Sequence, residues 1–132
     1  MKYFVLTIFA LVVFSSVCFA QTNQVSWLSD SEREHSYVES AQLARDLSTS
    51  GKYIASGPLH PVSTATSLRV RNGKRLVTDG PFAETREQLG GYYIIDAKDL
   101  DEAMSIAERV PPAKVGTIEI RPLLEIEGLP SQ

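Results

Sequence analysis

The sequence predicts a single α+β domain, an antiparallel sheet with two helices on one face. Two helix starts of the pattern Ser/Asp-x-x-Glu, at Ser29 to Glu32 and Asp99 to Glu102, each open a run of apolar residues at helical spacing. Segments rich in β-branched and aromatic residues lie between and after those helices. The chain has 132 residues, 43% hydrophobic and 22% charged, enough for one core but not for two domains.

The first helix starts at Ser29, with Glu32 as the reciprocal partner of a capping box, and Gly51 stops it. Val38, Ala41, Ala44 and Leu47, with Tyr37 and Leu43 alongside, give its expected apolar stripe. Tyr53-Ile54-Ala55 is a short strand ending at Gly57-Pro58, and the polar connection "GPLHPVSTA" follows. Thr66 to Arg71 alternates polar and apolar, Asn72-Gly73 is the preferred pair for a two-residue turn, and Arg75 to Thr78 returns as the second arm of a hairpin. Gly91 to Asp96 is a well-buried strand. Asp99 caps a second helix whose expected inner face is Leu100, Ala103, Met104, Ala107 and Val110, and Pro111-Pro112 ends it. Thr117 to Arg121 alternates and forms the last strand.

This order is that of a ferredoxin-like (dimeric α+β barrel) sandwich. One sheet face is left without helices. If that face is apolar a second copy must cover it, so a homodimer is the expectation.

The first twenty residues have a cationic start at Lys2, an apolar run from Tyr3 to Phe14 and a small-residue end at Cys18-Phe19-Ala20. That layout predicts a signal peptide over residues 1–20, with cleavage after Ala20 and a single domain over 21–132. The run is short for a membrane span, so no stable anchor is expected after cleavage. Export follows if the signal is used; otherwise the protein stays in the cytoplasm. Cys18 is the single cysteine, so no intrachain disulfide forms.

A formal net charge of -3 argues against nucleic-acid binding, which needs a clustered basic surface. The basic residues Arg69, Arg71, Lys74 and Arg75 surround the hairpin turn and read as solvated. Neither His35 nor His60 has a neighbour at metal-ligand spacing, Gly90-Gly91 lacks a phosphate-binding pattern, and no cofactor is expected. Close backbone approach at a strand start is the simpler reason for that glycine pair. Asp79-Gly80-Pro81 suits a turn on its own merits. Asp79 also ends a strand, and His60, at the end of another, approaches it if the two strand ends are neighbours. A carboxylate beside an imidazole orients its tautomer and raises its basicity, a proton carrier near neutral pH. The pocket expected around Asp79 and His60 takes in Glu39 and Ser40 of the first helix, with Gly80, Pro81, Phe82, Glu84 and Arg86 after the turn.

The stretch "TDGPFAETREQLGGYYIIDAKDLDEAMSIAERVP", followed by "GTIEIRPLLE", resembles the DGPF group of YCII-related proteins, small bacterial dimers of ferredoxin-like fold. The resemblance runs from about Trp27 to Glu125 and takes in "GPLHP" and the Arg-Asn-Gly hairpin. It implies acid/base chemistry on a small organic molecule, elimination or isomerisation, by a histidine and an aspartate, with Asp79 as the counterpart of that aspartate. The helical position where such proteins carry the histidine falls on Ser40, which leaves His60 as the candidate partner. For the N-terminus the resemblance implies, instead of a signal peptide, that Met1 to Ile8, or Ser16 to Gln21 in a spacing-preserving alternative, is a first sheet strand. A non-catalytic small-ligand binding or dimeric interaction module is the competing expectation.

Overall fold

The computed structural model describes residues 2–11, 29–83 and 87–124. Six strands and two helices follow one another as β1 (Lys2–Leu11), α1 (Asp30–Thr49), β2 (Tyr53–Pro58), β3 (Thr66–Arg71), β4 (Lys74–Asp79), β5 (Glu87–Ala97), α2 (Leu100–Ala107) and β6 (Thr117–Pro122). Short 3-10 turns at Val62–Thr64 and Pro111–Lys114 complete the order. Four strands form one antiparallel sheet in the order β2-β5-β1-β6, while β3 and β4 pair only with each other. This is the ferredoxin-like α+β arrangement, with the β3–β4 hairpin inserted between the second and third strands of the sheet.

Local chemistry places the boundaries. Ser29 Oγ accepts the Glu32 N–H at 3.3 Å and the Ser29 N–H donates to Glu32 Oε2 at 2.7 Å, the complete reciprocal box. The Glu32 carboxylate is held below its usual range by the Ser29 hydroxyl, which donates to Oε2 at 2.6 Å, and by the Ser29 N–H. At α2, Asp99 Oδ1 accepts the Glu102 N–H at 2.9 Å, but the Glu102 carboxylate turns to the Lys98 N–H at 2.8 Å and to Lys52 Nζ at 2.6 Å. The second box is therefore half formed, because a long-range cation competes for its glutamate.

The core lies between the helices and one face of the sheet: Phe4 and Leu6 of β1, Leu43 and Leu47 of α1, Tyr93, Ile95 and Ala97 of β5, Ala103, Ile106 and Ala107 of α2, and Val110. Both expected helix stripes are rotated. Tyr37, Val38 and Ala41 of α1 are exposed, while Ser36 and Ser40 turn partly inward in line with Leu43 and Leu47. In α2, Ile106 is buried where Leu100 and Met104 are not. Counting apolar residues cannot tell two overlapping stripes apart; the sheet selects the one whose C-terminal half is apolar and leaves the other in water.

Lys2–Leu11, whose composition reads as the start of a signal peptide, lies here between β5 and β6, with Phe4 paired to Ile95 and Leu6 to Ile120. The chain is thus in the arrangement where its N-terminal stretch supplies the first strand, and cleavage after Ala20 would remove it. Ser16 to Gln21, the other candidate, lies outside the described residues. Strand β5 begins at Glu87, three residues before the Gly90-Gly91 pair expected at its start. The glycine at 91 faces β2, where an added Cβ would come 2.9 Å from the Gly57 carbonyl oxygen. Close backbone approach holds, inside the strand.

Candidate functional site

The Asn72-Gly73 turn has φ of 51° and 72° at its two residues, the positive pair that matches strand twist in a two-residue hairpin. At the other end of the hairpin, Thr66 is paired with Asp79. Gly80 then takes φ of 96°, a region that disfavours any side chain, so glycine is required at this turn. Its N–H donates to the Ala65 carbonyl at 2.8 Å, and its own carbonyl accepts Ser67 Oγ at 2.7 Å. The turn is held by Gly80 and Ser67, and the Asp79 side chain takes no part in these bonds.

His60 lies on the connection from β2 to β3, just before the turn closed by Thr64 N–H on the Pro61 carbonyl. Ala65 ends that connection and accepts the Gly80 N–H, so the turn after Asp79 meets the connection five residues beyond His60. His60 and Asp79 are both exposed, and among the described residues no hydrogen bond or ion pair joins them. Pro81 and Phe82 are exposed beside the turn, Phe82 at 82%. Glu84 and Arg86 lie outside the described residues.

The two helix residues expected at this site sit elsewhere. Glu39 is exposed, with an oxygen 3.5 Å from His35 Nε2 on its own helix. Ser40 faces the middle of the sheet, where its carbonyl accepts the Tyr93 hydroxyl at 3.1 Å. Nearby, Tyr53 and Ser56 share a hydroxyl hydrogen bond of 3.1 Å. Burial pushes the Tyr93 phenol above its ordinary value, so it remains a protonated donor at neutral pH. This hydroxyl group under α1 went unread in the sequence, because its members are spread over three elements and have no shared spacing.

A polar cleft of about 280 Å³ opens where α1 ends, lined by Ser50, Gly51, Lys52, Asp96, Lys98 and Glu102. The Lys52–Glu102 pair crosses it, and the Asp96 N–H donates to the Lys52 carbonyl at 2.9 Å. Since Tyr53 pairs with Ile95 and Pro58 with Gly91, this cleft lies at one end of β2 and the connection to the hairpin leaves from the other, with about 17 Å of strand between them. Among the described residues, no group of three or more His, Cys, Asp or Glu could hold a metal ion.

The YCII-related domain matches residues 15–127, a stretch that contains every described element except β1. The chain belongs to the YCII-related domain family. It is 44% identical over 94 residues to an uncharacterised protein of Rhizobium meliloti (strain 1021), covering 64% of this chain and 76% of that protein. In this YCII-related domain, then, the helix position expected for a histidine holds the half-buried Ser40, whose backbone carbonyl accepts the Tyr93 hydroxyl.

Proposed function

We propose that this YCII-related domain works as a homodimeric interaction module, with a second copy over the open face of the sheet. One observation carries this reading. Opposite the helices, Tyr3, Val5, Tyr92 and Ile94 form a partly exposed, largely apolar surface, in which Val5 and Thr7 pair with Ile94 and Tyr92. Their neighbours Glu119 and Arg121 on β6 give it a polar margin. An apolar patch with a polar rim has the composition of an interface. Sedimentation equilibrium of the full chain tests it: the wild type should be dimeric and Ile94→Arg monomeric with an unchanged far-UV spectrum. A wild type monomeric at its highest soluble concentration would sink the reading.

A second reading, proton transfer on a small organic molecule by Asp79 and His60, is supported by the exposure of both residues, on the turn and the connection that the Gly80–Ala65 bond joins. In that reading the carboxylate hydrogen-bonds the imidazole and fixes its tautomer, so Asp79→Asn should change the His60 ring nitrogen chemical shifts followed by NMR. Unchanged shifts would remove the pair from consideration.

A further inference from the structure

Among the described residues the β3–β4 hairpin pairs with no other strand, and Leu68, Val70, Leu76 and Val77 on it are 52 to 57% exposed. A two-stranded ribbon is marginal in water unless its apolar side packs on something. Its cross-strand register puts Thr66 with Asp79, Leu68 with Val77, and Val70 with Arg75, so these six share one face. Read from tip to base, that face runs from a cation, Arg75, through Val70, Val77 and Leu68 to an anion, Asp79.

Helix α1 carries a stripe of matching order. Its buried residues are Leu43 and Leu47, both in the C-terminal half. On the outward side, Glu34, Val38, Ala41 and Arg45 follow one another at steps of three and four, with Tyr37 beside them, and all five are exposed. This stripe runs from an anion through apolar residues to a cation. Arg45 lies about 16 Å along the helix from Glu34, at 1.5 Å per residue, and Arg75 lies about 13 Å along its strand from Asp79, at about 3.3 Å per residue. The reach of the charged side chains spans the difference. Around these stripes, the hairpin carries Arg69, Arg71, Lys74 and Arg75 against Asp79, and the first half of α1 carries Asp30, Glu32, Glu34 and Glu39 against Arg33.

We propose that the hairpin is a docking arm for a second copy of this chain, laying Leu68, Val70 and Val77 on Tyr37, Val38 and Ala41 of that copy's α1. Arg75 then meets Glu34 and Asp79 meets Arg45 of the second copy. The reversed orientation sets Arg75 against Arg45 and Asp79 against Glu34, so charge fixes the direction of docking as well as favouring it. Two-fold symmetry makes the contact twice per dimer. This rests on the homodimer proposed above and assigns Asp79 to the interface.

The test is the dimer dissociation constant of the full chain by sedimentation equilibrium, for the wild type, Arg75→Glu, Glu34→Arg and the Arg75→Glu/Glu34→Arg double variant, with Ile94→Arg alongside. Each single charge reversal should weaken the dimer tenfold or more, and the double variant should recover most of that loss because the reversed pair still attracts. All the reversed positions are exposed, and far-UV spectra confirm that each variant folds. Additive single effects without recovery would overturn the docking arm. So would a dimer that responds to Ile94→Arg but to neither charge reversal, a result that leaves the sheet-face reading standing. Charge reversal that acts while Ile94→Arg does not would support the arm and remove the sheet face. A monomeric wild type overturns both.

Discussion

Single residues in this protein divide into those fixed by backbone geometry and those fixed by charge. Gly91 and Gly80 are of the first kind: one meets a neighbouring carbonyl at a distance no Cβ tolerates, and the other holds φ of 96°. Glu102 is of the second kind. Its hydrogen bond to Lys52 first, then that to the Lys98 N–H, hold its carboxyl below the ordinary value of 4.5. A depressed carboxylate contributes stability that is present above the unfolded value and is lost as pH falls through the folded one. Glu102→Gln should therefore lower the urea midpoint at neutral pH, and the gap from wild type should close in acid, below about 4.5. A gap that persists there would mean that Glu102 acts by packing rather than charge. Asp79 shows the limit of reading one residue: its turn was legible from Asp-Gly-Pro, while its carboxylate is left unengaged by the turn it introduces.

Elements that depend on local chemistry lie close to where the sequence put them. The capping box at Ser29 and the Asn72-Gly73 turn need only residues a few positions apart, so a short window of sequence contains their whole cause. The inward face of α1 has no such local cause: of the stripe expected on it, Leu43, Ala44 and Leu47 turn to the core while Tyr37, Val38 and Ala41 face water. Strand β1 raises the same issue at a larger scale. Its residues have the composition of a signal peptide and also the pattern of a buried strand, and Leu6 is fully buried in the fold described here. Leu6→Ala in the full chain should cost about 2–5 kcal/mol in urea denaturation, the usual loss for a large core aliphatic. No change in stability would show that the folded domain does without this strand.

At the scale of the molecule, helices cover one side of the sheet, and a long hairpin stands clear of it. Ordinary globular domains leave few apolar surfaces of this kind in water. If a second copy covers them, folding is coupled to association, and the thermal midpoint should rise with protein concentration. Scanning calorimetry over a hundredfold dilution series checks this, and a constant midpoint would mean that the single chain carries its full stability alone. The candidate pair Asp79 and His60 also belongs to this scale. Their approach was a conditional expectation in the sequence, since it depended on the ends of β2 and β4 being neighbours; the bond from Gly80 to Ala65 joins the turn after Asp79 to the residue before β3, five positions beyond His60. Glu39 and Ser40 were drawn into the same pocket on helical position alone; they face water and the Tyr93 hydroxyl.

By itself the sequence determined the α+β class, the capped helix starts, the hairpin turn and the family, because caps, turns and motifs are short-range statements about hydrogen bonds and allowed φ. The tertiary structure alone decided the strand order, the side of α1 that faces the core, the partner that Glu102 chooses, the contact that makes Gly91 obligatory, and the hairpin's standing free of the sheet. Each of these rests on groups far apart in the chain, whose meeting is set by the packing of the whole sheet rather than by any spacing along it.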